Sequence, residues 1–309
     1  MKDYEMFAHP LLPTVSLLLA MLLWASSFIA LKLAFQFYHP MWVIFGRMVV
    51  ASLVFLFWIP LFRTIRFRRR DWPILAGMAL CEPCLYFILE AKALENTSAS
   101  QAGLITTLMP LMVAVGAALV FKERLTRRAM AGFIVAISGA ALLSVGGEVS
   151  ANAPNPMLGN LCEFLAMVCA TGYTLLLKRL SSYYSPFFLT AFQAFVGSFF
   201  FFPFLFLPGT VAPAGFSPVA AFAVVYLGVF VTLGAYGLYN YAVSCIPAGQ
   251  AAAYINLIPV MTLFLAWLIL GDSLTPLQYL AGGLVFCGVF LSQQRRSATA
   301  APEAAEAPG

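Results

Sequence analysis

The chain has 309 residues, of which 62% are hydrophobic and 9% are charged, and its formal net charge is +5. Soluble domains have about 25% charged residues, so this composition and a mean hydropathy of +0.92 exclude a soluble globular protein. The basic residues stand in short clusters at the ends of apolar runs, which indicates membrane orientation and not a nucleic-acid surface.

We predict an all-α integral membrane protein with ten transmembrane helices. Continuous apolar runs of about 17 to 25 residues favour helices over a barrel, because each run can cross about 30 Å of hydrocarbon. The predicted spans are 14–36, 41–62, 73–94, 99–121, 129–147, 158–178, 186–207, 218–243, 250–270 and 276–292. The residues before the first span have no cleavage-site pattern, so this helix is predicted to be retained. The Ala/Pro/Glu-rich residues 295–309 are predicted to form a disordered cytoplasmic tail.

The two halves of the chain repeat one pattern of residues. Residues 98–126 and 247–275 share proline and polar positions at an offset of 149 residues, and the earlier helices match at an offset of 146. The equivalent pairs include Gln101 and Gln250, Pro110 and Pro259, Gly139 and Gly288, Pro40 and Pro186, and Lys32 and Lys178. We therefore predict two five-helix repeats, 1–148 and 149–294. Because five is an odd number, the second repeat is predicted to be inverted in the membrane.

Fourteen of the seventeen Lys and Arg residues fall on one side of the predicted membrane. They are Lys2, Arg63, Arg66, Arg68, Arg69, Arg70, Lys122, Arg124, Arg127, Arg128, Lys178, Arg179, Arg295 and Arg296. The opposite loops contain none. Since basic loops face the cytoplasm, both termini are predicted to be cytoplasmic. The basic residues after the fourth span have no counterparts after the ninth, as expected for an inverted second repeat.

These features resemble the EamA-type branch of the drug/metabolite transporter superfamily. The resemblance covers residues 14–292 and rests on the inverted duplication, on the sequence WASSF at residues 24–28, and on Arg47 seven residues after Pro40. It rests also on the helices of Pro110 and Pro259, which are followed by Glu-x-Leu-Thr and Asp-x-Leu-Thr, and on a last helix in each half that contains glycine.

The resemblance implies a bacterial inner-membrane carrier, often an exporter, for amino acids, related metabolites or other small organic compounds. We expect a secondary-type transporter that exports small polar metabolites, such as amino acids or related compounds, by alternating access. The sequence has no phosphate-binding loop of the GxxxxGK[ST] kind, so transport is predicted to be independent of ATP. The expected partners are a small-molecule substrate, the lipid bilayer and protons, with no nucleic acid, metal or cofactor, in a monomer or homodimer.

Two other functions are compatible with the sequence. The first is a broad-range exporter of drugs or cations, in which Glu82, Glu90 and Glu163 would be the anionic contacts. The second, from a different class, is a membrane-embedded enzyme or assembly factor. The residues show no Ser/His/Asp or metal constellation that would support catalysis.

Six charged residues lie inside the predicted spans. They are Lys32, Arg47, Glu82, Glu90, Lys92 and Glu163. An unpaired charge facing lipid is costly, so these side chains are expected to face one another or water. We predict that Lys32, Arg47 and Lys92 belong to a charge network that fixes the third helix against the first two. The three glutamates are predicted to contact substrate or to carry a proton during transport.

Aromatic and amide residues are predicted to complete a central cavity, because buried Trp and Tyr need partners for their polar atoms. The predicted cavity residues, besides the glutamates, are Trp24, Phe28, Tyr86, Thr107, Tyr173, Tyr236, Tyr239, Asn240, Tyr254 and Asn256. Tyr86 lies between Glu82 and Glu90 at helical spacing, which predicts one shared face. Pro83, Pro110 and Pro259 are predicted to loosen their helices for gating, since each removes a helix hydrogen bond.

Overall fold

The computed structural model describes residues 11–62, 65, 68–121, 127–146 and 149–292. Within them the chain is helical, with no strand beyond one isolated bridge between Ser150 and Ala153. The helices are α1 (Leu12–Phe35), α2 (Pro40–Leu56), α3 (Arg69–Asn96), α4 (Ala99–Thr106 and Met109–Phe121), α5 (Arg127–Val145), α6 (Pro156–Leu180), α7 (Pro186–Phe206), α8 (Pro218–Cys245), α9 (Ala248–Leu270) and α10 (Pro276–Ser292). The predicted tail 295–309 lies outside the described residues, as do Lys2, Arg63, Arg66, Lys122, Arg124, Arg295 and Arg296.

Seven of these helices are both long and apolar enough to cross a membrane, and α2, α5 and α10 are shorter apolar helices. The predicted all-α membrane fold is therefore confirmed. The second span is shorter than predicted, since α2 ends at Leu56 and a separate turn of helix, Ile59–Phe62, follows it. Pro60 explains this end, because it cannot donate a hydrogen bond to the carbonyl of Leu56 four residues earlier.

Three further prolines interrupt helices in the same way. The regular part of α3 ends at Ala79, four residues before Pro83, and Glu82 has extended backbone angles, φ −150° and ψ 118°. The first part of α4 ends at Thr106, four residues before Pro110. A 3₁₀ turn in α9, Tyr254–Asn256, lies at the equivalent distance before Pro259. Each break is located where the missing proline N–H would have bonded.

Contacts between helix ends define the two ends of the bundle. At one, which we call the Asn152 end, Lys32 Nζ donates to the Asn152 carbonyl at 2.6 Å. At the other, the Tyr184 end, the Tyr184 hydroxyl donates to Asp71 at 3.0 Å. The Asn152 end collects the ends of α1, α3, α5, α7 and α9, so the helices alternate in direction through the bundle.

Helices α5 and α10 pack antiparallel through small residues. A Cβ atom on Gly139 would lie 2.7 Å from the backbone nitrogen of Val285, and one on Gly288 would overlap the backbone nitrogen of Ala136. Only glycine permits so close an approach of two helices. Gly139 and Gly288 are repeat equivalents, as are Ala136 and Val285, so the two contacts are reciprocal. Two inverted copies of one unit would meet in this manner.

Candidate functional site

A cavity of about 40 Å³ lies at the centre of the bundle, between α1, α2, α3, α4, α6, α8 and α9. The predicted residues that line it are Trp24, Phe28, Arg47, Glu82, Tyr86, Glu90, Tyr173 and Tyr236. A water molecule needs about 10 to 15 Å³ of such volume. The cavity can therefore hold a few waters.

The break in α3 places Glu82 at the cavity. Its side chain is buried and accepts a hydrogen bond from the hydroxyl of Tyr236 on α8. Because the backbone of Glu82 is extended, its carbonyl leaves the helix and accepts a hydrogen bond from Gln193 Nε2 of α7 at 3.0 Å. The interrupted helix thus joins the two halves of the chain at this point.

Glu90 forms a second carboxylate site, together with Tyr86 and Arg47. The Tyr86 hydroxyl donates to Glu90 Oε1 at 3.0 Å, and Arg47 Nη1 lies 3.9 Å from Glu90 Oε2. Arg47 also donates from Nε to Thr232 at 3.0 Å, and its guanidinium lies 4.2 Å from the centre of the Phe87 ring. All three polar side chains are buried, so this ion pair is shielded from solvent.

The structure does not bring Lys32 and Lys92 to Arg47. Lys92 pairs with Glu95 of its own helix at 3.2 Å, and the Lys92 side chain is 55% exposed. Lys32 reaches the loop carbonyl of Asn152 instead. Both lysines lie near helix ends, where a long side chain can place its charge outside the hydrocarbon. Among the described residues, Arg47 is therefore the only one of these three basic residues that links another helix to a carboxylate of α3.

An aromatic cluster forms the wall on the α8 side. The Trp24 ring centre lies 5.2 Å from that of Tyr236 and 4.9 Å from that of Tyr239. Behind it, the Tyr173 hydroxyl donates to Asn240, whose Nδ2 donates to Thr190 at 2.9 Å. Tyr239 and Asn240 therefore support the cavity wall, and neither is among the residues that line the cavity.

Four other predicted residues do not line the cavity. Thr107 donates to a carbonyl of its own helix, and its neighbour Thr106 faces the cavity. Tyr254 and Asn256 are half-buried and are the first and last residues of the 3₁₀ turn of α9. Glu163 is fully buried on α6, one turn from Met167, which is a lining residue.

The sequence reasoning missed several contacts. The missed lining residues are Ser27, Thr106, Met109, Met167, Ala170, Ile255 and Ile258. Helical spacing could have found two of them, because Met167 and Ala170 share a face with Glu163. Thr232, the partner of Arg47, could have been suspected as an isolated polar residue in an apolar run. No group of three or more potential metal ligands is found among the described residues.

Comparisons with known proteins agree with this architecture. The EamA-like transporter family matches residues 12–145 and again 157–293. An "uncharacterized transporter" of Archaeoglobus fulgidus is 25% identical and covers 91% of this chain and 96% of its own length. A "probable terminal-alkyne amino-acid exporter" of Streptantibioticus cattleyicolor is 28% identical and covers 91% and 93%.

One solved structure has the same fold, with a TM-score of 0.62 at 20% identity, and covers 91% of this chain and 96% of its own. The family match extends over both halves of the helical bundle, and the apolar helices make this a multi-pass membrane protein. The resemblance inferred from the sequence is thereby confirmed: the chain belongs to the EamA-like transporter family.

Proposed function

We propose that this protein is a secondary transporter that exports a small polar or zwitterionic metabolite, such as an amino acid or a related compound, by alternating access. The observation that carries the proposal is the central cavity, where Arg47, Glu82 and Glu90 are buried among aromatic side chains. Charges of both signs in a low-dielectric cavity suit a zwitterion. The similarity to a probable amino-acid exporter supports this substrate class.

The two halves, 1–148 and 149–294, act as inverted units around this cavity. Three observations support the division. The family matches the chain twice, α5 and α10 meet through reciprocal glycine contacts, and the helices with Pro110 and Pro259 break at equivalent places. In inverted-repeat transporters the substrate lies between the repeats near the midplane. Pro83, Pro110 and Pro259 interrupt α3, α4 and α9 beside the cavity, which suits a gating role.

The two ends of the bundle differ in a way that suits alternating access. Gln101, at the start of α4, is buried at the Asn152 end and accepts a hydrogen bond from Asn160 Nδ2 at 3.0 Å. Its repeat equivalent Gln250, at the start of α9, is exposed at the Tyr184 end. The described state is thus closed more tightly at the Asn152 end. A metabolite larger than a few waters requires one end to open.

The Tyr184 end is the cytoplasmic end in this proposal. Exposed Arg68, Arg69 and Arg70 lie there, whereas the described connections at the Asn152 end contain no Lys or Arg. This asymmetry follows the positive-inside rule. Both termini would then be cytoplasmic, in the bacterial inner membrane.

A screen of ligand-induced stabilisation tests the substrate class. Purified protein is heated with amino acids, sugars, nucleosides or cationic dyes, because a ligand at 100 times its Kd stabilises the folded state by about 2.7 kcal/mol. We expect selective stabilisation by one metabolite class, followed by saturable counterflow of that class in proteoliposomes. A component of this transport that is driven by a pH gradient would support proton coupling.

The drug or cation exporter remains the second candidate, because three glutamates and only one arginine are buried among the described residues. It predicts a different result in the same screen. Several unrelated cationic dyes would stabilise the protein, and the metabolites would not. Absence of counterflow for every compound class would reject both transport proposals.

A further inference from the structure

Glu163 is the one glutamate of the central region that the cavity does not use. It is fully buried on α6, and neither carboxyl oxygen has a hydrogen-bond partner in the part of the chain that the structure describes. By contrast, Tyr236 bonds Glu82, and Tyr86 and Arg47 contact Glu90. The absence of partners distinguishes Glu163 from both other acids.

Its position is between the cavity and the Asn152 end. Met167, one helical turn further along α6, lines the cavity. Asn160, nearly one turn before Glu163, accepts a hydrogen bond from Thr97 Oγ1 at 2.8 Å and donates one to Gln101 Oε1 at 3.0 Å. These three side chains are buried and form a polar layer, so Glu163 is separated from the Asn152 end by groups that water could replace.

The elements packed against α6 supply no free counter-ion for Glu163. On α3 the charged or titratable groups are Tyr86, Glu90 and, towards the Asn152 end, Lys92 and Glu95, with Cys81, Glu82 and Cys84 towards the other end. Arg47, from α2, is already shared by Glu90 and Thr232. The described residues of α4 contain no titratable side chain, and the first half of α9 contains one, the half-buried Tyr254. Helix α8 presents Tyr236 and Tyr239, and Arg127 and Arg128 of α5 lie at the Tyr184 end.

An ionised carboxylate without a hydrogen bond or counter-ion is far more costly to bury than a neutral carboxylic acid. A proton or a small cation would satisfy the Glu163 carboxylate in the described state. Glu90 on α3 is itself an acid, so it offers Glu163 no counter-charge. The site thus has the chemistry of a monovalent-cation subsite that is occupied by H⁺ when no other cation is present.

We infer that Glu163 is the proton-carrying group of the transporter and that a proton and the ammonium group of a substrate occupy it in turn. When the ammonium group enters, the carboxyl O–H bond breaks, the proton passes to water, and the carboxylate accepts hydrogen bonds from the ammonium. When the Thr97–Asn160–Gln101 layer opens, a proton from the Asn152 end binds the carboxylate and the ammonium leaves. This inference rests on the proposed transport function, and it assigns the coupling to one residue.

Infrared spectroscopy on the purified full chain tests the proton directly. The difference spectrum between the wild type and Glu163→Gln at pH 7 should show the loss of one protonated carboxyl band. Glu95→Gln is the matched control, because Glu95 is partly exposed and paired with Lys92; it should lose ionised carboxylate bands instead. Glutamine has nearly the shape of the neutral acid, so the variant should fold. Glu163→Asp should retain a protonated band if glutamine is not tolerated.

Methylammonium chloride at constant pH and ionic strength tests the exchange. The protonated band assigned to Glu163 should decrease as methylammonium is added, and sodium chloride should have no such effect. If Glu163→Gln removes ionised carboxylate bands at pH 7, the inference is wrong. If the band is present but insensitive to methylammonium, the exchange with ammonium is wrong. These readouts need no transport, so a negative counterflow screen would reject the proposed function without deciding the state of Glu163.

Discussion

Ser52 of α2 and Ser198 of α7 form a hydrogen bond through their hydroxyl groups, whose oxygens lie 2.9 Å apart. The two serines are 146 residues apart, which is the repeat offset that relates Pro40 to Pro186. Equivalent residues of two copies can touch each other only where they lie close to the pseudo-twofold axis. If the halves are inverted repeats as proposed, the contact marks their axis on the α2 and α7 side, and the glycine contacts mark it between α5 and α10.

The serine pair predicts a specific crosslink. In a variant without the native cysteines, Ser52→Cys with Ser198→Cys should form a disulfide on mild oxidation, because the two hydroxyls are already in contact. A protease site in the 149–155 connection would let the halves separate on a gel unless they are crosslinked. Ser138→Cys with Ser198→Cys is the control, since Ser138 is exposed on α5 and bonds its own helix. Equal crosslinking of both pairs would contradict the assigned axis.

The close approach of α5 and α10 predicts that Gly139→Ala is destabilising. The added Cβ would lie 2.7 Å from Val285 N and 2.8 Å from the carbonyl oxygen of Ala281. Overpacking against backbone costs about 1 to 3 kcal/mol. Thermal unfolding in detergent should show a lower Tm for this variant. Gly283→Ala on α10 should show no loss, because no atom lies within 4 Å of its added Cβ; a similar loss there would argue against the packing explanation.

Proline positions explain the helix breaks, because the missing N–H acts locally, although the break before Pro60 was not predicted. The ends at Leu56, Ala79 and Thr106 each follow from a proline four residues later. Such effects need no knowledge of the tertiary structure. The length of an apolar run is likewise a local property of the sequence, and it was enough to locate the helices along the chain.

The direction in which each polar side chain points from its helix was harder to predict from the sequence than the positions of the helices. Transmembrane helices are apolar towards lipid and towards their neighbours, so hydrophobic periodicity does not set their rotation. Lys92 was therefore assigned to the interior, although it is exposed at the end of α3. The break at Glu82 also changes the angular relation of this residue to Tyr86 and Glu90, which helical spacing alone could not show.

Arg47 is predicted to be the most costly single charge to remove. Arg47→Gln leaves Glu90 buried without its ion-pair partner, and breaking a buried pair costs about 3 to 5 kcal/mol. The double variant Arg47→Gln with Glu90→Gln should recover part of that stability, because no unpaired charge is left. Thermal unfolding of the two single variants and the double variant measures the coupling. Lys92→Gln should cost less than about 1 kcal/mol, since its pair with Glu95 is exposed. Additive effects of Arg47→Gln and Glu90→Gln in the double variant would contradict a direct Arg47–Glu90 interaction.

Tyr236→Phe is predicted to impair transport, because it removes the hydroxyl that donates to Glu82 at the cavity. Removing one partner of a buried hydrogen bond costs about 1 to 3 kcal/mol. Tyr226→Phe is a matched control on the same helix. The Tyr226 hydroxyl lies 2.6 Å from that of Ser26, and both residues line an apolar cleft away from the cavity. Counterflow of the metabolite found in the stabilisation screen should fall in Tyr236→Phe and stay near wild type in Tyr226→Phe. Equal effects on transport would remove the special role of Tyr236.

Cysteine labelling in intact cells is predicted to separate the two ends of the bundle. Asn152 is exposed in the connection before α6, and Cys245 is exposed at the end of α8 near the Tyr184 end. If the Tyr184 end is cytoplasmic, a membrane-impermeant maleimide should modify Asn152→Cys from outside in a background without other cysteines. A variant that retains Cys245 alone should react only after the membrane is permeabilised. Lys32 Nζ bonds the backbone carbonyl of Asn152, so exchange of the side chain should leave that contact in place. Labelling of Cys245 in intact cells, with Asn152→Cys protected, would reverse the orientation and make the basic Arg68–Arg70 segment external.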